Sequence, residues 1–394
     1  MENIKKEKKH SLPKNWEVVE FEKCLEKVTY TNKIQRKDFK EEGIYPIISQ
    51  EKDFINGYWD NEEDLFKVDK PVVIFGDHTK IIKFIDFDFV LGADGVKILK
   101  PKDKIDSKYF YYFLQNVDLG NLGYARHYRL LKETNIAYPK SLSEQRRIVS
   151  ILDKCFSAIE RSRNNAEQNL KNAKEIFESY LNRVFAGSTD IKTKHKNWEE
   201  KKLGEVCTIE RGSSPRPINK YQTNSPDGVN WIKIGDTKGV DKYIYTTKEK
   251  ITKQGAKKSR YVKEGDFILS NSMSFGKPYI MKTDGYIHDG WFVFRLPDYL
   301  DKNYFYYLFT SHNVQEQIQS LGAGAIVKNI SSDLVKKVDV FFPKSKEEQQ
   351  TIVHKLDTLR IETQKLESIY QKKILLLEEL KKSILQKAFS GELN

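Results

Sequence analysis

One short constellation in this chain has the residue types and order of a metal-dependent nuclease. Pro226-Asp227 is followed by Asp236-Thr237-Lys238, a pattern in which carboxylates hold Mg2+ beside a lysine. The motif is so short that chance supplies it often, and only the second half of the chain carries it although both halves share one plan. Other chemistry is missing. There is no G-x-x-x-x-G-K-[ST] phosphate loop and no G-x-G-x-x-G dinucleotide turn. Gly322-Ala323-Gly324-Ala325 lacks the strand-turn-helix context and reads as a turn. No Pro-Pro pair occurs, so the [NDS]-P-P-[YFW] motif of amino-methyltransferases is absent. The seven histidines form no H-E-x-x-H pair and no metal spacing. Cys24, Cys155 and Cys207 are far apart, give neither a metal spacing nor a disulfide framework, and fit a reducing cytoplasm. The expectation is a non-catalytic chain without a metal or cofactor of its own.

Charge points to a partner instead. The chain carries net +12, and 26 basic against 17 acidic residues within 191–344 account for +9 of it. Positive charge concentrated in one segment favours a polyanion, most simply nucleic acid. No run of about 18 apolar residues exists to span a membrane. The opening MENIKKEKKH lacks the apolar stretch of a secretory signal, so a cytoplasmic location is expected.

The elements that position any such surface are written twice. Pro139-Lys140-Ser141, Glu144-Gln145, Ile148-Val149 and Leu152-Asp153 recur as Pro343-Lys344-Ser345, Glu348-Gln349, Ile352-Val353 and Leu356-Asp357, each 204 residues later. Leu181, Phe185 and Gly187 keep that phase with Leu385, Phe389 and Gly391. The opening Asn15-Trp16 and Asn197-Trp198 are 182 apart, so the second segment is 22 residues longer between Trp and Pro. A period this long means a duplicated domain plus helix. Within each half, Pro71–Gly76, Gly95–Leu99, Asp266–Leu269 and Trp291–Phe294 read as buried strands. The blocks from Tyr109 to Leu114 and from Tyr304 to Phe309 read as short core helices.

After each Pro a long helix is predicted. Ile148, Leu152, Cys155, Ile159, Ala166, Ala173, Phe177, Tyr180 and Val184, with Ser162 and Asn169 in the polar gaps, fall on a coiled-coil seam. Ile352, Leu356, Leu359, Leu366, Tyr370, Leu377 and Ile384 do the same. Gly187 and Gly391 suit C-terminal caps. The simplest cover for each stripe is the other copy, and chain direction then requires antiparallel pairing. The expected fold is mixed α+β, with two globular domains, a long antiparallel two-helix coiled coil and a pseudo-twofold repeat. Its expected segments are a loose tail at 1–12, domains at 13–142 and 190–344, and helices at 143–189 and 345–394.

At this point the chain resembles the specificity subunits of Type I restriction-modification systems. The resemblance covers nearly the whole chain after the tail. It rests on Gly322-x-Gly324-x-x-x-Lys328-Asn329-Ile330, Asp333-Leu334 and Val338-x-Val340 leading into Pro343, Glu348-Gln349 and Ile352-Val353. A looser first-half version runs from Gly123 through Tyr128-Arg129-Leu130-Leu131 and Asn135-Ile136 to Pro139. Leu203-Gly204-Glu205-Val206, Arg211-Gly212, Gly57-Tyr58 and Gly76-Asp77-His78-Thr79 also fit.

The resemblance implies two target-recognition domains, each reading one half of a split, asymmetric double-stranded DNA site across a gap set by the helices. It also implies partners: two modification subunits that bind S-adenosylmethionine and methylate adenine, and restriction subunits that add ATP- and Mg2+-dependent translocation and cleavage. On that basis the polar loops near basic residues become candidate DNA contacts. In the first domain these are His78, Thr79, Lys80 and Lys83, with Arg126, His127, Tyr128 and Arg129. In the second they are Ser213, Ser214 and Arg216, then Lys253, Lys257, Lys258 and Arg260, then Asn271, Ser272 and Lys277, then Lys328 and Asn329. The acidic run Asp60–Asp64 should face away from DNA. Two other readings stand: a stand-alone nuclease using Asp227, Asp236 and Lys238, and a DNA-free coiled-coil adaptor.

Overall fold

The computed structural model describes residues 12–93, 95–120, 125–186, 197–271, 275–322 and 330–393. The tail, the Gly187 cap, the Gly322–Ala325 turn beyond Gly322, and the candidate contacts Ser272, Lys328 and Asn329 lie outside them. The chain forms two compact units, Met1–Glu167 with Gln371–Asn394, and Gln168–Tyr370. Each unit therefore takes a stretch of both long helices, which run Leu142–Val184 and Lys346–Phe389.

Both units are built on the same frame. In the first, strand Trp16–Glu20 pairs antiparallel with Asn135–Pro139, Trp16 opposite Pro139. In the second, Trp198–Lys202 pairs with Asp339–Pro343, Trp198 opposite Pro343. A short aromatic helix follows in each, Ser107–Asn116 and Lys302–Thr310. Asp106 and Asp301 cap them in the same way, each side chain accepting from the backbone N–H groups two and three residues on. The aromatic blocks are core as expected: Tyr109, Phe110, Tyr112, Phe113 and every residue from Tyr304 to Phe309 are buried.

The repeated Glu-Gln pair has a physical reason. Gln145 and Gln349 are fully buried in the first turn of their long helices. Gln145 Oε1 accepts from Asp106 N at 2.8 Å, and its Nε2 donates to Lys104 O and Pro139 O. Gln349 Oε1 accepts from Asp301 N at 2.7 Å, and its Nε2 donates to Tyr299 O and Pro343 O. One side chain thus ties together the strand exit, the cap of the aromatic helix and the start of the long helix. Two more bonds repeat: Tyr109 and Tyr304 donate to Ala137 O and Phe341 O, both at 2.9 Å, and Tyr112 and Tyr307 donate to Asp153 and Asp357.

The long helices run antiparallel within each unit. In the first, Arg147 donates to Leu393 O and Lys381 sits 5.1 Å over the Phe156 ring, so positions fall on one helix as they rise on the other. In the second, Arg360 lies over Phe177, and Leu356 and Val353 share a core with Leu181 and Phe185. Each aromatic helix is covered by the end of the other half's long helix. Phe389 packs edge-on to Tyr109 at 5.2 Å, and Phe185 edge-on to Tyr304 at 5.3 Å. The seam follows the expected positions Ile148, Leu152, Ile159, Ala166, Ala173 and Leu356, all buried, and half-buries Phe177, Tyr180, Ile352, Leu359, Tyr370, Leu377 and Ile384. Two positions differ. Leu366 is 39% exposed, while Thr363, one seam position earlier, is 3% exposed; Asn169 also faces solvent. A straight helix drifts by about 20° per heptad against a strict seven-residue pattern. Thr363 is accommodated because its hydroxyl donates back to Leu359 O and Arg360 O.

What fills each frame differs. The first unit holds a sheet of strands Lys33–Ile34, Phe89–Gly92, Tyr45–Ile48 and Gly57–Trp59, with Leu65–Phe66 also paired to Phe89–Gly92. A second sheet sets Val72–Gly76 between Ile82–Ile85 and Val96–Leu99. The second unit holds two five-stranded sheets. One runs Thr208–Arg211, Trp291–Arg295, Phe267–Ser270, Pro278–Met281, Tyr243–Ile244; the other runs Gln222–Thr223, Glu249–Ile251, Val229–Ile232, Gly285–Ile287, Arg260–Val262.

Candidate nucleic-acid interface

In the first unit the two loop segments chosen from sequence meet. His127 N donates to Asp77 O and Tyr128 N to Asp77 Oδ1, both at 2.8 Å. The Gly76–Lys80 turn is tight. A Cβ on Gly76 would lie 2.2 Å from Thr79 Oγ1 and 2.9 Å from Gln50, so only glycine fits. Thr79 itself donates to Gln50 O. Lys80 adopts a left-handed conformation with φ 59° and donates to Gly120 O. Arg126, Arg129 and Thr79 are exposed. Lys97 and Lys132 lie 5.4 and 5.3 Å from the centre of the half-buried Tyr128 ring, cations that are not among the candidate contacts. In the acidic run, Asp64 is a buried acceptor for Asn32 and Trp59.

Two candidates there point inward. His127 is 1% exposed, with Nδ1 against Asp77 O, so it cannot reach a base edge. Lys83 is 4% exposed; its Nζ donates to Asp53 O, Phe54 O and Asn56 Oδ1 and holds the 53–56 loop instead of a phosphate. Burial pushes the Lys83 pKa down from 10.5 to about 8. Lys83→Met should cost about 1–3 kcal/mol at pH 7, because Asp53 O, Phe54 O and Asn56 Oδ1 lose the donor they share. The pH sign follows from the lowered pKa. The unfolded chain holds this proton more tightly, so the wild type gains stability as pH rises from about 8 toward 10.5. Urea titration of the two proteins across that window tests both points; equal stability at pH 7 would show that the loop does not depend on Lys83.

In the second unit, segments 211–216 and 257–260 form one surface. Ser213 Oγ donates to Lys258 O, Ser259 Oγ donates to Ser213 O, and Arg260 Nε donates to Arg211 O. Lys253, Lys257, Lys258 and Arg260 are exposed. Lys258 bonds the Tyr221 hydroxyl, and Arg260 pairs with Glu210 at 2.9 Å. Beside them opens a cavity of about 670 Å3 lined by Ser214, Arg216, Trp231, Lys233, His288 and Asp289 among others. Ser214 Oγ donates to Asp289 Oδ1 at 2.6 Å, and Arg216 lies 3.3 Å from Asp289 Oδ2. Burial works against the Asp289 carboxylate, yet the Ser214 hydroxyl, a backbone N–H, His288 and Arg216 together hold its pKa below the ordinary value. Burial holds His288 below its own and favours the neutral ring. Asp289 was not legible in sequence; its only local signal is the turn dipeptide Asp289-Gly290.

Asn271 is a further correction. It is fully buried; its N–H donates to Gly290 O and its Oδ1 accepts from Ile330 N, so it ties three loops together and reads no base. Lys277 remains exposed, 5.7 Å over Tyr279. The nuclease constellation also has a structural explanation. Asp236 spends one carboxylate oxygen on Lys233 N and the other on Lys248 N. Among the described residues no group of three His, Cys, Asp or Glu is placed to hold a metal, and no helix is long and apolar enough to cross a membrane.

A frame copied twice and filled with unlike polar surfaces defines a duplicated binding protein. The family model for the Type I restriction modification DNA specificity domain matches residues 13–168 and again 195–376, and the chain belongs to that family. It is 29% identical over 216 residues to the Type I restriction enzyme EcoR124I/EcoR124II specificity subunit of Escherichia coli, covering 52% of this chain and 50% of that protein. It is 26% identical over 195 residues to the MjaIX specificity subunit of Methanocaldococcus jannaschii, covering 48% and 44%. The matched stretch thus spans about half the length of these relatives. Among solved structures, a chain from work on complex assembly and conformational transition of the type I R-M system aligns over 97% of this chain and 100% of its own, with TM-score 0.71 and 18% identity. The HsdS subunit from Thermoanaerobacter tengcongensis aligns over 98% and 99%, with TM-score 0.60 and 18% identity. At that identity the likeness is one of fold.

Proposed function

We propose that this chain is the non-catalytic DNA-recognition subunit of a Type I restriction-modification complex, each unit reading one half of a bipartite, asymmetric duplex site. The observation that carries the reading is the copied frame. Strand register, cap, buried Gln and helix start are repeated bond for bond, while the inserts differ in sheet topology. Constant supports with variable surfaces suit two different half-sites held at one spacing. The exposed cations of 253–260 supply phosphate contacts, and the polar turns at 77–80 and 213–216 face base edges.

The long helices supply the docking surface for modification subunits, which would bring S-adenosylmethionine; restriction subunits would bring ATP and Mg2+. Two such subunits fit the repeat: Ile176 and Leu380 occupy the same place in the two copies, and both are 47% exposed. The test is co-expression with the modification subunit and mapping of N6-methyladenine across the host DNA. One methylated motif with two half-sites and a fixed gap is expected. No methylated motif, with no DNA retained by the purified complex, would favour the DNA-free adaptor. Mg2+-dependent cleavage by the chain alone would favour the nuclease.

A further inference from the structure

Among the cations of the second unit, Arg216 is set apart by its surroundings. Arg211 spends its Nε on Asp289 O, and Arg260 spends its own on Arg211 O while pairing with Glu210. Arg216 is 80% exposed at the side chain and touches only one corner of Asp289, at 3.3 Å. It sits between Pro215 and Pro217. Each proline ring fixes its own φ, and Pro217 disfavours the helical region for Arg216, so this stretch has fewer conformations to lose on binding. Asp289 is in turn pinned by the Ser214 hydroxyl at 2.6 Å. Behind the pair lies the cavity with Trp231 and the buried Pro215 on its wall.

The pairing decides between phosphate and base. The Arg216–Asp289 pair sums to zero net charge, and its carboxylate repels a phosphate. Lys253 and Lys257 are exposed point charges by comparison and suit phosphate better. A forked donor next to an acceptor matches a G·C pair in the major groove. The guanidinium reaches guanine O6 and N7, and a carboxylate accepts from cytosine N4. We infer that Arg216, held in position by Asp289, specifies one guanine in the half-site read by the second unit. The inference rests on the DNA-recognition reading above.

The experiment uses the full chain with its modification subunits and a pool of randomised duplexes, from which bound sequences are selected and counted. The wild type should select one motif with an invariant G·C pair in one half-site. Arg216→Ala should lose discrimination at that pair alone by roughly 10- to 100-fold. Arg216→Lys should fail to restore it, since a point charge cannot make the bidentate contact. Asp289→Asn should blur the same position and weaken binding to the selected motif, and the double variant with Arg216→Ala should lose little more than Arg216→Ala alone, as expected if the two side chains act together at one base pair. Salt dependence separates the roles: Arg216→Ala should leave the slope of log K against log salt unchanged, and Lys257→Ala should reduce it by about 1. An unchanged motif from Arg216→Ala overturns the inference, and so does a uniform loss across all positions with a reduced slope. Failure of the wild type to select any motif overturns the recognition reading itself.

Discussion

Replacing Leu376 and Leu380 together by Glu is expected to abolish association with a modification subunit and leave the chain folded. The two lie one turn apart on one face of the second long helix and are 52% and 47% exposed. Glu is as good a helix former as Leu, and neither side chain belongs to a buried cluster, so the thermal midpoint should barely move. In a docked interface the same two leucines contribute about 2–4 kcal/mol by burial, and carboxylates in their place would have to be desolvated. The combined loss is on the order of 1,000-fold in affinity or more. Co-purification and methylation of host DNA read the effect. Undiminished pull-down at matched concentration would place the partner elsewhere.

Gln349→Leu should be the most damaging single change in the frame. Leu has nearly the same volume, so no large cavity forms, but Asp301 N, Tyr299 O and Pro343 O all lose the fully buried side chain that bonds them. Three such groups, partly compensated by relaxation, cost about 3–5 kcal/mol. For a unit of this size that lowers the melting temperature by roughly 6–20 °C. Gln349→Glu discriminates packing from hydrogen bonding. A carboxylate keeps the acceptor for Asp301 N but points an oxygen at two carbonyls, so it too should destabilise the protein. The damage should shrink as acid protonates it and restores a donor. If Gln349→Leu melted with the wild type, the repeated Gln would not be the fastening it is argued to be.

Local pattern was enough to read the frame. The 204-residue phase, the strands, the aromatic core helices and the antiparallel pairing all follow from periodicity and chain direction. Leu366 turns outward through the helix drift and Thr363 turns inward on a back-bonded hydroxyl, and neither is visible in residue type. The candidate contacts were read less well for a related reason. Polar residues in loops were taken as surface, yet Lys83, His127 and Asn271 are buried, each against backbone groups from a distant loop. Nothing local separates the buried Lys83 from the half-buried Lys80 or the exposed Lys253.

By itself the sequence determined that one frame is used twice, that the two inserts differ, and that each helix needs the other to cover its stripe. Those are properties of short windows and of their repetition. Only the tertiary structure decided that Phe389 closes the core at Tyr109 while Phe185 closes the one at Tyr304. It alone brought Ser214 and Arg216 to Asp289, more than 70 residues away. Whether a polar side chain faces water or a partner is set by what the fold carries to it, because desolvation is decided by neighbours in space and not in sequence.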